Sequence, residues 1–296
     1  QPATAVFPEG VTTVELPSRA DSEPFVEWLD TARPDIVFTD AYPVDTAYQQ
    51  AVREHVPLAV LQDDARHGVC ADLFVNGNLY APDLDYEFVS DPPETCLGTD
   101  YVLLRREIRE RAATEPPWRA QPERAIVMMG GSDIGELTPT VVRAFDGCDL
   151  HVDAVIGPGC SEKLERDVRR AGAEISTAVS VSRDSDNLIA MMSDADLAVS
   201  TASTTTYELL ALGTPIVSIP VVDNQKLIAA ALRSRDAAIV LQRDSNKEAF
   251  QQAIEELVND IELRQKRQIQ GQQLVDGNGT TRVFSELLAT VEASSQ

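Results

Sequence analysis

The chain has 296 residues, 43% of them hydrophobic, which is enough for two domains that each bury a core. Its charge is lopsided: 48 acidic residues stand against 25 basic ones for a formal net of −23, and lysine occurs only at Lys163, Lys226, Lys247 and Lys266. Without a basic footprint the protein is unsuited to DNA or RNA, and no apolar run has the length of a membrane span.

The opening QPATAVFPEG has neither the basic nor the apolar region of a signal peptide, so the expected location is cytoplasmic. A start at Gln1 rather than Met reads as a processed, trimmed or fused chain. Residues 1–34 offer only TTVELP as a strand, followed by a helical FVEWLDTA. Strands are then predicted at DIVFTD (35–40), PLAVLQ (57–62) and DLFVN (72–76), with a helix at AYQQAVREH between the first two. LRREIRERA looks like a charged helix, and RREIRER (105–111) within it reads as a solvated face.

Three prolines in ATEPPWRAQPE interrupt the pattern. A fresh series of strands follows: RAIVMMG (124–130), HVDAVIG (151–157), AEIST (173–177), DLAVS (196–200), PIVSIPV (215–221) and AAIVLQ (237–242). Helical segments TPTVVRAFDG, EKLERDVRRAG and TYELLALG lie between them. Continuous rather than alternating apolar strands imply burial on both faces, hence parallel sheets covered by helices. The expected division is an N-terminal α/β domain over 1–112, a linker over 113–123 and a C-terminal α/β domain over 124–296. The N-terminal domain opens as though its first βαβ segment were missing.

Acidic residues are spread along the chain, which argues against a disordered acidic tail and for a solvated surface adapted to high salt. Cys70, Cys96, Cys148 and Cys160 form no CxxC pair and read as reduced, buried thiols. His55, His67 and His151 lack helical His/Glu pairing, so no metal site is visible and no cofactor is called for.

Two junctions stand out. GGSD (130–133) follows a strand: Gly130 and Gly131 let backbone approach a ligand, Ser132 can donate a hydroxyl, and Asp133 completes the turn. Thr138 is then a plausible N-cap, with Pro139 in the first turn. STASTTTYELLALG (200–213) offers hydroxyls and successive N–H groups from Ser203, Thr204 and Thr205 at a helix start, an arrangement that suits a phosphate. An ordinary strand-to-helix loop remains the alternative for GGSD. Glu208 has capping-box spacing from Thr205, or its carboxylate takes a ribose diol. Asn224 and Gln225 follow a strand where open α/β sheets bind ligands, and simple helix capping is their alternative. In the first half, Asp40 and Tyr42 end one strand and Asp63 and Asp64 another; the adjacent acids read as acid–base groups, a cation site, a cap or acidic surface, and nearby His67 as structural rather than catalytic.

The order GGSD, then DNLIAMMSDADLAVSTASTTTYELLALGTPIVSIPVVDNQ, then LVDGNGTTRV resembles the C-terminal domain of PseG/SpsG-type proteins. These are UDP-sugar hydrolases of the pseudaminic-acid pathway and spore-coat polysaccharide relatives. TDAYPVD, LQDDARHGVCADLFVNGN and CLGTDYVLLRREI resemble the family's first half in the right order. The resemblance implies a GT-B-like fold of two doubly wound parallel-sheet domains with an interdomain cleft. It implies that Ser132 and the ADL segment (195–197) lie near uracil, Ser203, Thr204 and Thr205 on the diphosphate, Glu208 on ribose, and Asn224 with Gln225 on the sugar. Tyr42 would face the reaction centre as a catalytic residue. MurG-type glycosyltransferases share the same C-terminal logic. The family's GxGH motif, whose histidine assists water attack, occurs nowhere in this chain, and its AGGST-like turn here reads TASTT.

The expected function is therefore release of UDP from a UDP-linked amino sugar in surface-glycan biosynthesis. The alternatives are a non-catalytic nucleotide-sugar-binding subunit, acting with a fused or separate partner domain, and a GT-B glycosyltransferase. The charge pattern generates its own prediction: the thermal unfolding midpoint should rise from low to molar salt, and a fold equally stable in low-salt buffer would contradict the high-salt adaptation.

Overall fold

The computed structural model describes residues 10–18, 20–112, 114, 116, 118–183, 185 and 187–294. Residues 1–9, and positions 113, 115 and 117 of the proline-interrupted stretch, lie outside the described residues. The chain forms two compact units, one of Gln1–Val75, Asp85–Thr95 and Glu286–Gln296, the other of Asn76–Leu84 and Cys96–Ser285.

The first unit begins with α1 (Glu23–Ala32), β1 (Val37–Thr39), α2 (Thr46–Arg53), β2 (Leu58–Leu61), β3 (Leu73–Asn76) and β4 (Glu94–Leu97). Its sheet runs in the order β1-β2-β3-β4, with β1–β2 and β2–β3 parallel. Asp45 starts α2 by accepting the Tyr48 N–H at 2.9 Å. Asp72 ties that helix to the sheet, accepting from Leu58 N at 2.9 Å and from Arg53 Nε at 3.0 Å. Phe74 is fully buried and meets Tyr86 edge-on, ring centroids 4.8 Å apart. TTVELP forms no strand, and the short β4, whose ETCL carries only two apolar residues, escaped the sequence pattern.

The second unit contains α3 (Arg106–Ala112), β5 (Arg124–Met128), α4 (Thr138–Ala144), β6 (His151–Ile156), α5 (Glu162–Ala173), β7 (Ala178–Arg183), α6 (Leu188–Asp194) and β8 (Leu197–Thr201). It continues through α7 (Thr204–Ala211), β9 (Ile216–Ile219), α8 (Lys226–Ser234), β10 (Ile239–Val240), α9 (Lys247–Asn259) and α10 (Ile261–Leu274). A last helix, α11 (Gly279–Ser294), runs from this unit into the C-terminal residues of the first. The strand order is β10-β9-β8-β5-β6-β7, every pairing parallel. The chain winds outward from β5 to β7, then returns to the other side of β5 and winds outward again.

Strand alternation sends side chains to two cores. Ile126, Met128, Ala198 and Ile216 join Tyr207, Leu210 and Leu232 on one face. Ala125, Val127, Val199 and Val217 join Phe145, Phe250 and Leu257 on the other. This double burial is why the strands read as unbroken apolar runs. AEIST is not a strand: Ala173 ends α5, and Thr177 Oγ1 donates to Phe145 O at 2.6 Å, so β7 starts only at Ala178. Thr138 is the first residue of α4 rather than its cap. Among the described residues no helix is long and apolar enough to cross a membrane.

Tyr207, 1% exposed, accepts the Leu79 N–H at 3.0 Å and donates to Asn78 Oδ1 at 3.1 Å. Tyr207→Phe leaves a buried N–H without its acceptor and should cost about 1–3 kcal/mol in denaturant unfolding.

Candidate functional site at the carboxyl edge of the second sheet

Winding reverses between β5 and β8, and in open α/β sheets the crevice for a ligand opens at the carboxyl ends of the two strands where this happens. Met128 is in register with Ser200, so the turn at 130–133 and the segment 201–205 leave the sheet side by side. Gly130 has φ of 79°, and a Cβ there would lie 3.6 Å from Thr201 Oγ1. The turn is held from the opposite side by the loop after β6, whose Gly159 N–H donates to Gly131 O at 2.8 Å. Gly157 leaves no room for a side chain, since its Cβ would sit 2.6 Å from Gly130 O. Gly130, Gly131 and Ser132 remain exposed at the edge. Cys160 is buried against the turn, its Sγ 3.9 Å from Gly131 O, and burial raises its thiol above the ordinary range.

The two junctions are not equivalent. Asp133 is 4% exposed, and its carboxylate accepts from Leu137 N and Thr138 N, each at 3.0 Å, and from Thr138 Oγ1 at 2.6 Å. The start of α4 is thus filled by a charge from within the protein, which leaves no open helix end at this junction. The start of α7 differs. Ser203 is the N-cap in extended conformation, and its side chain makes no capping hydrogen bond. Its hydroxyl instead accepts from Thr201 Oγ1 at 3.3 Å. Thr204 is exposed and Thr205 half-buried on this first turn, whose Thr206 N–H is taken by Ser203 O at 2.9 Å.

Glu208 lies one turn further along α7. With the cap at Ser203, the third helical position is Thr206, so no capping box forms between Thr205 and Glu208. The Glu208 carboxylate is gripped at both oxygens by Arg105, Nε to Oε1 at 2.6 Å and Nη2 to Oε2 at 2.8 Å. Arg105 therefore does not belong to a solvated helix face, whereas Arg106, paired with Glu110 one turn along, does. Nothing in the sequence signals a partner 103 positions away. Asn224 and Gln225 form a 3-10 turn, Asp223–Gln225, after β9; Asn224 is exposed, and Gln225 Oε1 accepts the Val221 N–H at 2.7 Å.

The ADL segment does not share a base site with Ser132. Ala125 pairs with Leu197, so residues 195–197 sit at the amino end of β8, across the sheet from the turn at 130–133. There Asp196 accepts from Glu123 N at 2.8 Å and Arg124 N at 2.9 Å and pairs with Arg119 at 3.0 Å, fastening the start of β5.

Within the first unit, Asp40, Tyr42, Gln62, Asp63, Arg66 and His67 line a pocket of about 330 Å³ at the carboxyl ends of β1 and β2. Tyr42 donates to Asp63 Oδ2 at 3.1 Å, and the Arg66 guanidinium lies 4.3 Å from its ring centroid while pairing with Asp64. Desolvation, then the charge of Asp63, raises the Asp40 carboxyl above its ordinary range, although the residue as a whole is exposed. Among the described residues no cluster of His, Cys, Asp and Glu could hold a metal.

Three comparisons bear on this arrangement. The family model of the Glycosyltransferase family 28 C-terminal domain matches residues 125–278. The uncharacterized protein MJ1062 of Methanocaldococcus jannaschii is 21% identical over 206 residues, covering 67% of this chain and 43% of the relative, so the chain spans less than half of that protein. Among solved structures, MurG of Acinetobacter baumannii superposes with a TM-score of 0.68 at 16% identity, over 90% of this chain and 77% of that one. An S. aureus MnaA–UDP co-structure superposes with a TM-score of 0.61 at 13% identity, over 90% and 78% of the two chains. At such identities the likeness shows the fold, and that fold is GT-B-like, two α/β units with parallel sheets.

The loop that follows α10 carries its own pH signature. Arg282, helped by the Asn278 N–H at 2.9 Å, holds the Asp276 carboxyl down to about 2. A carboxyl depressed in the folded state stabilises above its unfolded value, near 3.9, and loses that contribution as pH falls toward the folded one. Arg282→Met should therefore lower unfolding free energy at pH 6. The difference from the parent should shrink between about pH 4 and pH 2 in urea melts, and a pH-independent difference would contradict the assignment.

Proposed function

The chain belongs to the glycosyltransferase family 28 C-terminal domain family, and on that premise we propose that it processes nucleotide sugars by releasing UDP from a UDP-linked amino sugar. The observation that carries the proposal is the meeting of two unlike loops at the β5/β8 reversal: an exposed glycine turn and a helix start without a side-chain cap. The N–H groups of Gly130, Gly131, Thr204 and Thr205, with the hydroxyls of Ser132 and Ser203, suit a diphosphate. The dipole of α7 adds to them, whereas that of α4 is already satisfied by Asp133. Glu208 is assigned to the ribose, and Asn224 with the free amide end of Gln225 to sugar hydroxyls.

In the reaction water attacks the anomeric carbon, the bond from that carbon to the diphosphate oxygen breaks, and UDP leaves. The negative charge growing on the leaving diphosphate falls on the N–H groups that bound it, which lowers the barrier most where those groups are already oriented. Tyr42, which donates a hydrogen bond to Asp63, is proposed to act in catalysis. A net charge of −23 opposes any approaching dianion, so these fixed dipoles act against the field of the whole protein.

A second proposal, favoured by the family match, is transfer of the sugar to an acceptor hydroxyl in place of water. Product analysis separates the two, since only the transferase needs an acceptor to release UDP. Calorimetry at high salt should detect UDP binding, and Glu208→Gln should weaken it roughly tenfold. Undetectable UDP binding by the parent protein would overturn both proposals, while tight binding without turnover would sink the catalytic claim alone.

A further inference from the structure

The motif DGNGTTR at 276–282 has no part in the ligand loops, yet its contacts converge on one of their residues. Thr280 Oγ1 accepts the Leu104 N–H at 3.2 Å and donates to Leu104 O at 3.3 Å. Arg282 Nη1 donates to Asp100 O at 3.0 Å while its other nitrogen pairs with Asp276. Gly279 lies so close to Val102 that any Cβ there would collide with the Val102 carbonyl. Gly77 presses on the same residue from elsewhere, its Cβ position 2.6 Å from Val102 Cα. Residues 100–104 are thereby fixed as backbone, and the next residue is Arg105, whose guanidinium meets Glu208 at both oxygens.

We propose that Arg105 is a positioning residue for ribose recognition, aimed by the 276–282 loop and acting through Glu208. This rests on the ribose assignment made above. A carboxylate has about four lone-pair sites on its two oxygens. A bidentate guanidinium takes one site on each and stops rotation about the Cγ–Cδ bond. The site left on each oxygen faces outward in a fixed plane, where one oxygen can accept a single ribose hydroxyl. Without Arg105 no fork fixes the plane of the carboxylate, and its orientation must be gained at binding. The Glu208 side chain is 13% exposed and that of Arg105 48%, so the acid is sheltered while its partner reaches in from solvent.

The test uses the full chain in high-salt calorimetry with UDP and 2′-deoxy-UDP. The parent protein should prefer UDP by roughly tenfold, as expected for hydrogen bonds to a charged group. Arg105→Met should reduce that preference to about twofold or less while leaving 2′-deoxy-UDP affinity unchanged. Arg105→Lys should also lose most of the preference, because an ammonium cannot grip both oxygens. Thr280→Val, which removes the bridge to Leu104 without touching either charged group, should lower the preference partway and serves if Arg105→Met does not fold. An Arg105→Met protein that keeps or increases the parental preference overturns the positioning role alone. A parent protein that binds UDP and 2′-deoxy-UDP equally removes the ribose assignment, and this proposal with it.

Discussion

The parallel pairing of β5 with β8 is the constraint on which the rest of the site depends. Parallel strands put all their carboxyl ends on one edge, and the chain cannot return from β7 to β8 without passing β5. The crossovers on the two sides of β5 therefore lead away from one another, and the space left between them is open to the edge. Gly130 is set by its φ of 79°, and the turn it begins is crowded from the side of the loop after β6. The Gly157 Cβ position, 2.6 Å from Gly130 O, shows how little freedom the turn has. A ligand that meets this edge finds donors whose orientation was fixed by folding, so little entropy remains to be lost at binding.

Electrostatics explains why backbone groups rather than side-chain cations occupy this edge. Each basic residue on an acidic surface is drawn toward carboxylates, and most arginines here are spoken for: Arg53 by Asp72, Arg119 by Asp196, Arg143 by Glu174, Arg183 by Glu165. Backbone N–H groups at a helix start cannot be diverted in this way, except by a capping residue. Asp133 does that for α4, whereas Ser203 leaves α7 without a side-chain cap. A single carboxyl at one junction and a hydroxyl at the other decide which helix dipole faces outward.

Much of the second unit was legible in sequence because its strands are buried on both faces, and unbroken runs such as AIVMM and LAVS leave few alternatives. The loops GGSD and STASTT were legible because glycine and hydroxyl residues after such runs have a backbone reason to be there. What sequence could not supply was contact across long separations. Arg105 looked like one charge among several on an exposed helix, and its engagement with Glu208 depends on how residues 100–104 are pinned. The ADL segment was misplaced for a related reason: motif order says which strand a residue belongs to, but the end of the strand it occupies comes from register, here Ala125 with Leu197. AEIST failed on a boundary, where α5 kept its pattern up to Ala173 and a threonine hydroxyl held the following turn.

The second unit also recruits residues from far earlier in the chain. Leu79, Tyr80, Val102, Leu104 and Ile108 belong to the same apolar cluster as Ile126, Tyr207 and Leu210. Asn78 and Leu79 satisfy the buried Tyr207 hydroxyl, and Arg235 donates to Leu79 O at 2.7 Å. A modular exchange that grafted only the segment from β5 onward into another scaffold would carry every ligand loop and still arrive with one apolar face bare. Such a graft would inherit the donors without the rigidity that aims them, so recombination between relatives should succeed when it carries residues 76–84 and 96–112 along with the later sheet.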